Sequence, residues 1–290
     1  MSGRIDSSKN YTLITPCKNE GKNLLSLINS IAAQTIKPIV WVIVDDGSTD
    51  NTPIILQNSQ NKYNWIRVLR LEESPRNLGL HLAEVMKKGF DCCIDFCKQT
   101  EFEYNYLGNV DGDLTLPSNF FEKLINEFER NPILGIASGG TDYTIGNKKV
   151  RAKVSENEPS GGHMLIRRTC FEEISGIPLT YAVDSVIKAK SRLKGWKTRR
   201  FEENIATEIR DASSADGYWK GHVHHGEISY YLNHNPIHVA MKIIKHTFRR
   251  PYYGGIAYLV GYIGSIIRVK ERINDKEIRR YYWNKWKEIL

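Results

Sequence analysis

Apolar and polar positions along the first half of the chain alternate between two periods. Residues 11–15 are a continuous apolar and β-branched run that meets Pro16, the pattern of a buried strand entering a loop. Leu24, Leu25, Leu27, Ile28 and Ile31 then fall at helical spacing, which predicts a helix over 22–34 with one buried stripe. A second apolar run over 39–44 stops at Asp45-Asp46-Gly47-Ser48. Asp50 or Thr52 can cap the helix that follows, with Pro53 near its first turn. The pattern predicts a third strand over 65–71, a long helix over 77–98, and a fourth strand over 104–110 that runs into Asp111-Gly112-Asp113. A helix over 117–130 and a strand over 133–138 complete the alternation.

The implied fold class is α/β: a Rossmann-like, mostly parallel central sheet flanked by helices. Such sheets bind ligands at the carboxyl ends of their strands, and each acidic cluster named above lies at one. The second half is less regular. A strand over 161–166 is entered through Gly161 and Gly162, a helix spans 183–193, and a strand spans 196–201. Beyond residue 216 the pattern turns helical and aromatic, with breaks at Pro236 and Pro251. The expected organisation is an α/β domain over 1–215 and a helical, amphipathic C-terminal extension over 216–290.

Charge adds to this division. Residues 236–290 hold 12 Lys and Arg against 4 Asp and Glu, a net of +8, which leaves 29 against 29 for residues 1–235. A basic segment of this kind suits an anionic partner. The five cysteines lack paired spacing and read as reduced thiols. The polar first residues lack a secretory signal, and no stretch reaches the ~20 apolar residues that span a bilayer. A cytoplasmic location is therefore expected, with peripheral contact on the inner face of the cell membrane through the C-terminal segment.

The chemistry is concentrated at the strand ends. Asp111 and Asp113, one residue apart, can converge on a hard cation, and Mg²⁺ or Mn²⁺ takes oxygen ligands while bridging to phosphate. Such an ion would assist departure of a diphosphate. After the second strand, Asp45 and Asp46 can accept hydrogen bonds from ribose hydroxyls or a base N–H. Thr15-Pro16-Cys17-Lys18-Asn19-Glu20 closes the first strand, and Arg76-Asn77 opens a helix where Arg76 can pair with phosphate. There is neither GxxxxGK[ST] nor GxGxxG. The histidines at 222, 224, 225, 234 and 238 read as polar groove lining or exposed rings.

These four segments, in this order and spacing, resemble family 2 glycosyltransferases of the GT-A fold over roughly residues 10–235. The resemblance implies an inverting transfer of sugar from a nucleotide-diphosphate donor, UDP- or GDP-linked, to an acceptor hydroxyl. It implies that Pro16, Asn19, Glu20 and Asp46 hold base and ribose, and that Asp111, Gly112 and Asp113 hold ribose and the metal–diphosphate. The general base matches Asp184, within 181–190, where the paired acidic motif of the family is reduced to one residue. Glu208 stands where relatives carry a metal-ligating histidine, and Arg210 where they carry an arginine. The segments at 217–221 and 230–236 also look like the tail of these transferases.

In the basic tail, aromatic residues beside Lys and Arg suit a helix lying in a headgroup layer. A glycan or polyprenyl-linked acceptor fits that placement. Two rivals share parts of this pattern. A sugar nucleotidyltransferase needs a Gly-rich phosphate loop that residues 16–20 lack. A non-catalytic lipid- or nucleic-acid-binding protein needs no intact carboxylates, and the tail's aromatics sit among aliphatics instead of forming a base-stacking platform, so no nucleic-acid partner is expected.

Overall fold

The computed structural model describes residues 7–72, 79–145, 148–152, 154–211, 217–248 and 252–288, with the backbone alone at 7, 144, 145, 148, 210, 211 and 288. The chain forms two compact units. The first comprises Met1–Leu179 and Val183–Asp211, and the second Thr180–Ala182 and Ala212–Leu290.

The first unit contains, in chain order, β1 (Tyr11–Cys17), α1 (Leu24–Ala32), β2 (Val40–Asp45), α2 (Thr52–Lys62) and β3 (Ile66–Arg70). Then come α3 (Leu80–Thr100), β4 (Tyr106–Asn109), β5 (Leu114–Thr115), α4 (Phe120–Arg130), β6 (Leu134–Ile145) and β7 (Lys148–Arg151). It ends with β8 (Met164–Arg167), α5 (Arg168–Glu173), α6 (Val183–Leu193) and β9 (Lys197–Asp211). Among the described residues the strands make one sheet of order β3-β2-β1-β4-β8-β6-β9-β5, with β7 paired to β6. Strands β1 to β4, β6 and β9 share one direction, and β8 is the antiparallel strand set between β4 and β6.

Strand β2 is buried along its whole length, and its two sets of alternating side chains feed two cores. Trp41 and Ile43 join residues of α1 and α4, including Leu24, Leu27, Phe121 and Phe128. Val40, Val42 and Val44 join residues of α3, α5 and α6, including Phe90, Phe171 and Ile187. The sheet is thus covered on both faces, and its strand ends are left as the place where polar side chains can gather.

Strands β6 and β9 run well past the apolar segments at 133–138 and 196–201. They pair with each other through the register Gly139↔Phe201 and Gly140↔Ile205, with an irregularity between them. A Cβ on Gly139 would lie 1.9 Å from the Asn204 carbonyl oxygen, so glycine lets the two strands close at that point. Strand β5 is two residues long, and it exists because Leu114 and Thr115 pair with Glu208 and Thr207 of the extended β9.

The second unit holds α7 (Tyr218–Tyr231), α8 (Pro236–Thr247), α9 (Gly254–Ile267), α10 (Lys276–Asn284) and a closing 3-10 turn, Lys285–Glu288. Asn235 caps α8 by accepting from the Ile237 N–H, with Pro236 at the first helical position. Thr180 and Tyr181 belong here because their hydroxyls bond Tyr231 at 2.7 Å and His224 Nδ1 at 2.6 Å. Helices α7 and α9 meet backbone to backbone. A Cβ on Gly226 would stand 2.0 Å from the Tyr258 carbonyl oxygen, and one on Gly261 1.9 Å from that of Val223.

The buried side of α9 is made of Gly254, Gly255, Ala257, Tyr258, Gly261 and Ser265. Its large aliphatics, Ile256, Leu259, Val260, Ile263, Ile266 and Ile267, face outward. Among the described residues no helix is long and apolar enough to cross a membrane. His222, His234 and His238 are buried against aromatic rings, not exposed, whereas His225 is exposed. Imidazole is flat and packs on tyrosine as readily as a hydrophobe does. No three His, Cys, Asp or Glu among the described residues form a ready metal-ligand set.

Candidate active site

The ends of β1 and β2 are tied together by Asn19, whose backbone adopts a φ of 55°, unusual for a residue other than glycine. Its side-chain oxygen accepts from the N–H groups of Thr49 at 2.9 Å and Asp50 at 3.4 Å, while its own N–H donates to Ser48 Oγ. Glu20 is buried, donates its N–H to Thr52 Oγ1 and receives Asn23 Nδ2 on its carboxylate. The two loops therefore form one polar rim above β1 and β2.

Two expected ligand contacts turn out to be internal fastenings. Thr15 is fully buried, and its Oγ1 accepts from the Trp41 indole at 3.0 Å. Asp45 is fully buried, its Oδ1 accepts from the Ser48 N–H, and Arg70 lies 3.7 Å from its Oδ2. Parallel pairing of Cys17 with Asp45 places both residues within the sheet.

Asp46, next along the chain, is slightly exposed where Asp45 is wholly buried. The Asp46 Oδ1 lies 2.8 Å from His81 Nε2, and Lys18 Nζ donates to its carbonyl oxygen while sitting 3.8 Å from Oδ2. Nothing in the motifs singled out His81, because it lies beyond the loop that opens α3 and only the tertiary fold returns it to the end of β2. Arg76 and Asn77 lie outside the described residues, and the side chain of Arg210 does as well.

The Asp111-Gly112-Asp113 turn follows β4 and is gripped from three sides. The Asp111 N–H donates to the Gly162 carbonyl oxygen at 2.8 Å, and the Asp113 carbonyl oxygen accepts from the Ile209 N–H at 2.8 Å. A Cβ on Gly112 would meet Glu20 Cγ at 3.0 Å. Pairing of Leu114 with Glu208 puts the Glu208 carboxylate beside this turn. The Asp111 carboxyl is pushed well above the usual carboxylate range by desolvation and then by Asp113, Glu208, Glu20 and Asp184. The repulsion among these carboxylates is the part of that shift that a bound cation would reverse.

That charge cluster fits a hard divalent ion. Mg²⁺ or Mn²⁺ needs only one or two protein carboxylates when phosphate oxygens and water complete its shell. Asp111 and Asp113, with Glu208 paired beside the same turn, could supply one or two of them.

Asp184 lies in the first turn of α6 and reaches the same region through two glycines. A Cβ on Gly161 would lie 2.9 Å from Asp184 Oδ2, and one on Gly162 2.7 Å from Asp111 Oδ2. Side chains at these two positions would fill the space between the carboxylates. The Gly161 carbonyl oxygen is fixed by Asn109 Nδ2 at 2.7 Å, so the glycine pair is held by the end of β4. Burial alone would raise the Asp184 carboxyl, but Lys188, 3.2 Å away, and the Ser185 N–H bring it below the ordinary Asp value. It is ionised at neutral pH and able to accept a proton.

A family model described as glycosyl transferase family 2 matches residues 12–186, more than half of the chain. Glycosyltransferase GlyG of Streptococcus pneumoniae is 28% identical over 145 residues, 48% of this chain and 39% of its own. Poly-beta-1,6-N-acetyl-D-glucosamine synthase of Staphylococcus epidermidis is 24% identical over 227 residues, 76% of this chain and 47% of its own. The chain thus spans less than half the length of these relatives.

Among solved structures, the mannosyltransferase PcManGT of Pyrobaculum calidifontis, in complex with GDP-Man and Mn²⁺, aligns at a TM-score of 0.55 and 17% identity. The alignment covers 87% of this chain and 69% of that one. TarS 1-349 of S. aureus, in complex with UDP-GlcNAc, aligns at 0.54 and 15%, covering 94% and 78%. At that identity the likeness is one of fold, and the fold is the GT-A fold of α/β glycosyltransferases. With the family model matched from β1 into α6, the chain belongs to glycosyl transferase family 2.

Proposed function

We propose that this chain transfers a glycosyl residue from a nucleoside-diphosphate sugar to an acceptor hydroxyl, with inversion at the anomeric carbon. The observation that supports it is the gathering of Asp113, Glu208 and Asp184 about Asp111, with Asp184 and Asp111 set against Gly161 and Gly162. In this reading Asp46, Asn19 and Glu20 form the nucleoside rim, and Pro16 shapes its edge. Asp113 and Asp111 hold the metal–diphosphate, with Glu208 in the place of a third ligand. A bound Mg²⁺ or Mn²⁺ would neutralise the charge that develops on the leaving diphosphate.

Asp184 takes the proton of the acceptor hydroxyl, a poor nucleophile until a carboxylate assists it. Attack from the side opposite the diphosphate inverts the centre. Thr15 and Asp45 contribute by fixing the strand ends. UDP- and GDP-sugars are the donor class, since the TarS and PcManGT complexes carry them.

Calorimetric titration of UDP and GDP, with and without Mn²⁺, tests the donor half on the wild-type chain and on Asp113→Ala. Metal-dependent binding of one nucleotide, lost in the variant, is expected. Absence of binding by any nucleotide would overturn the reading.

The outward stripe of α9 favours a lipid-side acceptor, a glycan or polyprenyl-linked sugar presented at the cytoplasmic face of a membrane. The stripe lacks charge, while residues 236–290 carry a net +8. Like charge opposes pairing of two copies through this face and favours an anionic surface. At 14 residues α9 is about 21 Å long, shorter than a bilayer core of about 30 Å, so it would lie in the headgroup layer. Flotation with phosphatidylglycerol vesicles tests this against phosphatidylcholine vesicles and a single-stranded RNA. Salt-sensitive flotation with the anionic vesicles alone is expected, and preferential RNA binding would refute it.

A further inference from the structure

Lysine is seldom buried unless its ammonium is fully engaged, because removing that charge from water is costly. Lys188 on α6 is 7% exposed. Its Nζ lies 3.1 Å from the Pro159 carbonyl oxygen, 3.2 Å from Asp184 Oδ2 and 3.8 Å from Glu158 Oε2. Three donors thus face three oxygens, two of them on carboxylates, and one of those carboxylates is Asp184.

Glu158 is held in turn. Its Oε1 accepts from Arg192 Nη1 at 2.9 Å, and Arg192 also donates to Thr198 Oγ1 and the Asn157 carbonyl oxygen. Thr198 Oγ1 donates to the same Asn157 oxygen at 2.8 Å. Residues 157–159 are therefore fastened to α6 and β9, and they lead directly into Ser160, whose N–H donates to Ser138 Oγ. Next in the chain are Gly161 and Gly162, which lie against Asp184 and Asp111. Lys188 is the group that touches both the carboxylate of α6 and the loop that separates it from the Asp111 turn.

A salt bridge that served stability alone would need no such placement. Buried ion pairs contribute little net stability compared with an apolar replacement. Here the pair is one turn from the start of α6, and its acidic partner is the carboxylate that faces the glycine turn.

We propose that Lys188 is a positioning residue of the transfer reaction, fixing the Asp184 carboxylate against the 157–162 loop so that Asp184 and Asp111 share one rigid frame. The proposal rests on Asp184 acting as the base. The role assigned to Lys188 is exerted through Asp184 and the loop, its observed partners. Without it, Asp184 can rotate away from the glycine turn, and the loop loses the tie that sets its height above α6. A misplacement of about 1 Å costs on the order of 10²-fold in rate.

The test uses acceptor-free hydrolysis of the nucleotide sugar that binds best, UDP-GlcNAc or GDP-mannose, with Mn²⁺, in which water replaces the acceptor hydroxyl. Lys188→Met, Lys188→Arg and Asp184→Asn are compared with the wild type for kcat, for donor KM and for thermal midpoint. Lys188→Met should lower kcat by about 10- to 100-fold with donor KM within about twofold, and Lys188→Arg should restore most of it. A kcat for Lys188→Met within about twofold of wild type sinks the proposal. So does a loss expressed in KM, or a Lys188→Arg variant no better than Lys188→Met at equal thermal midpoint.

If Lys188→Met does not fold, the comparison of Lys188→Arg with Lys188→Gln decides on the same criteria. Asp184→Asn separates the two readings. Hydrolysis retained in Asp184→Asn removes the base and the positioning role together, whereas hydrolysis lost there but retained in Lys188→Met removes the positioning role alone.

Discussion

Helix α4 in the first unit buries Phe120, Phe121, Leu124, Ile125 and Phe128 and turns charged residues outward. Helix α9 in the second unit buries glycines, an alanine, a tyrosine and a serine, and turns six large aliphatics outward. Both helices are amphipathic, but with opposite sense. In α4 the apolar face drives folding, because each large side chain taken from water is worth roughly 1.5–3 kcal/mol. In α9 the inner face is held by close backbone approach at Gly261 and by the Tyr258–Ser229 hydroxyl pair, which leaves the large aliphatics exposed. The first unit turns the large side chains of α4 into its core, and the second leaves those of α9 at its surface.

The sharpest way to break this contrast is Phe128→Ala. Phe128 is fully buried, its ring tilted against Tyr106 at 5.0 Å and lying under the Arg167 guanidinium at 5.4 Å. Truncation should cost the first unit about 3–5 kcal/mol, read by urea unfolding. A loss below about 1 kcal/mol would mean that α4 is not part of that core.

Next in size is Gly261→Ala. An added Cβ has no room against the Val223 carbonyl oxygen, so α7 and α9 must separate. A cost of about 1–3 kcal/mol is expected in the second unit alone, with nucleotide binding by the first unit unchanged. Limited proteolysis of the second unit together with UDP and GDP titration checks both halves of that expectation.

How much of this was legible beforehand follows the same division. The helix read over 183–193 is α6 as observed, and the acidic segments do fall at strand ends, because periodic burial and strand-to-loop changes leave direct marks in sequence. The short β5 and the far half of β9 left none. Their pairing is set by long-range register, and their residues are too polar to read as buried. The same limit hid His81 beside Asp46, whereas Lys188, four residues after Asp184 on a helix read from the sequence, was within reach of i,i+4 spacing alone. It also made Thr15 and Asp45 look like ligand contacts, since a strand-end position does not reveal which way a side chain turns. Helix α9 misled least. Its apolar run was plain, and only the direction it faces required the fold.

Acidification tests the second unit with a smaller effect. His234 and His238 are both buried, and neither Nδ1 has a hydrogen-bond partner among the described residues. Burial first, then Lys242, pushes both rings down, His238 to about 4. They are neutral in the folded unit but gain protons below about 6.5 when unfolded. The unfolded state therefore binds more protons between about 6.5 and 4, and stability must fall as pH falls through that window. Asp184, with its carboxyl lowered, has the opposite kind of shift. Its contribution is present above the ordinary Asp value and is lost only below it. Thermal melts should show the second unit's midpoint falling between about pH 7 and 5, with His238→Phe flattening the dependence. A midpoint independent of pH would mean that these rings are hydrated.

The smallest expected effect is the most telling. Ile263 is 42% exposed at the centre of the α9 stripe. If the stripe were part of a core, Ile263→Ala would cost several kcal/mol, as at other buried isoleucines. An outward residue whose role is to meet a lipid layer predicts a change below about 0.5 kcal/mol in urea unfolding. The same substitution should still weaken flotation with anionic vesicles several-fold, since each buried CH₂ is worth about 0.8 kcal/mol. Ile263→Glu should abolish flotation while leaving the melt in place. Stability lost together with flotation would show that the stripe is internal packing, and α9 would then join α4 as a helix that folds the chain and not one that places it.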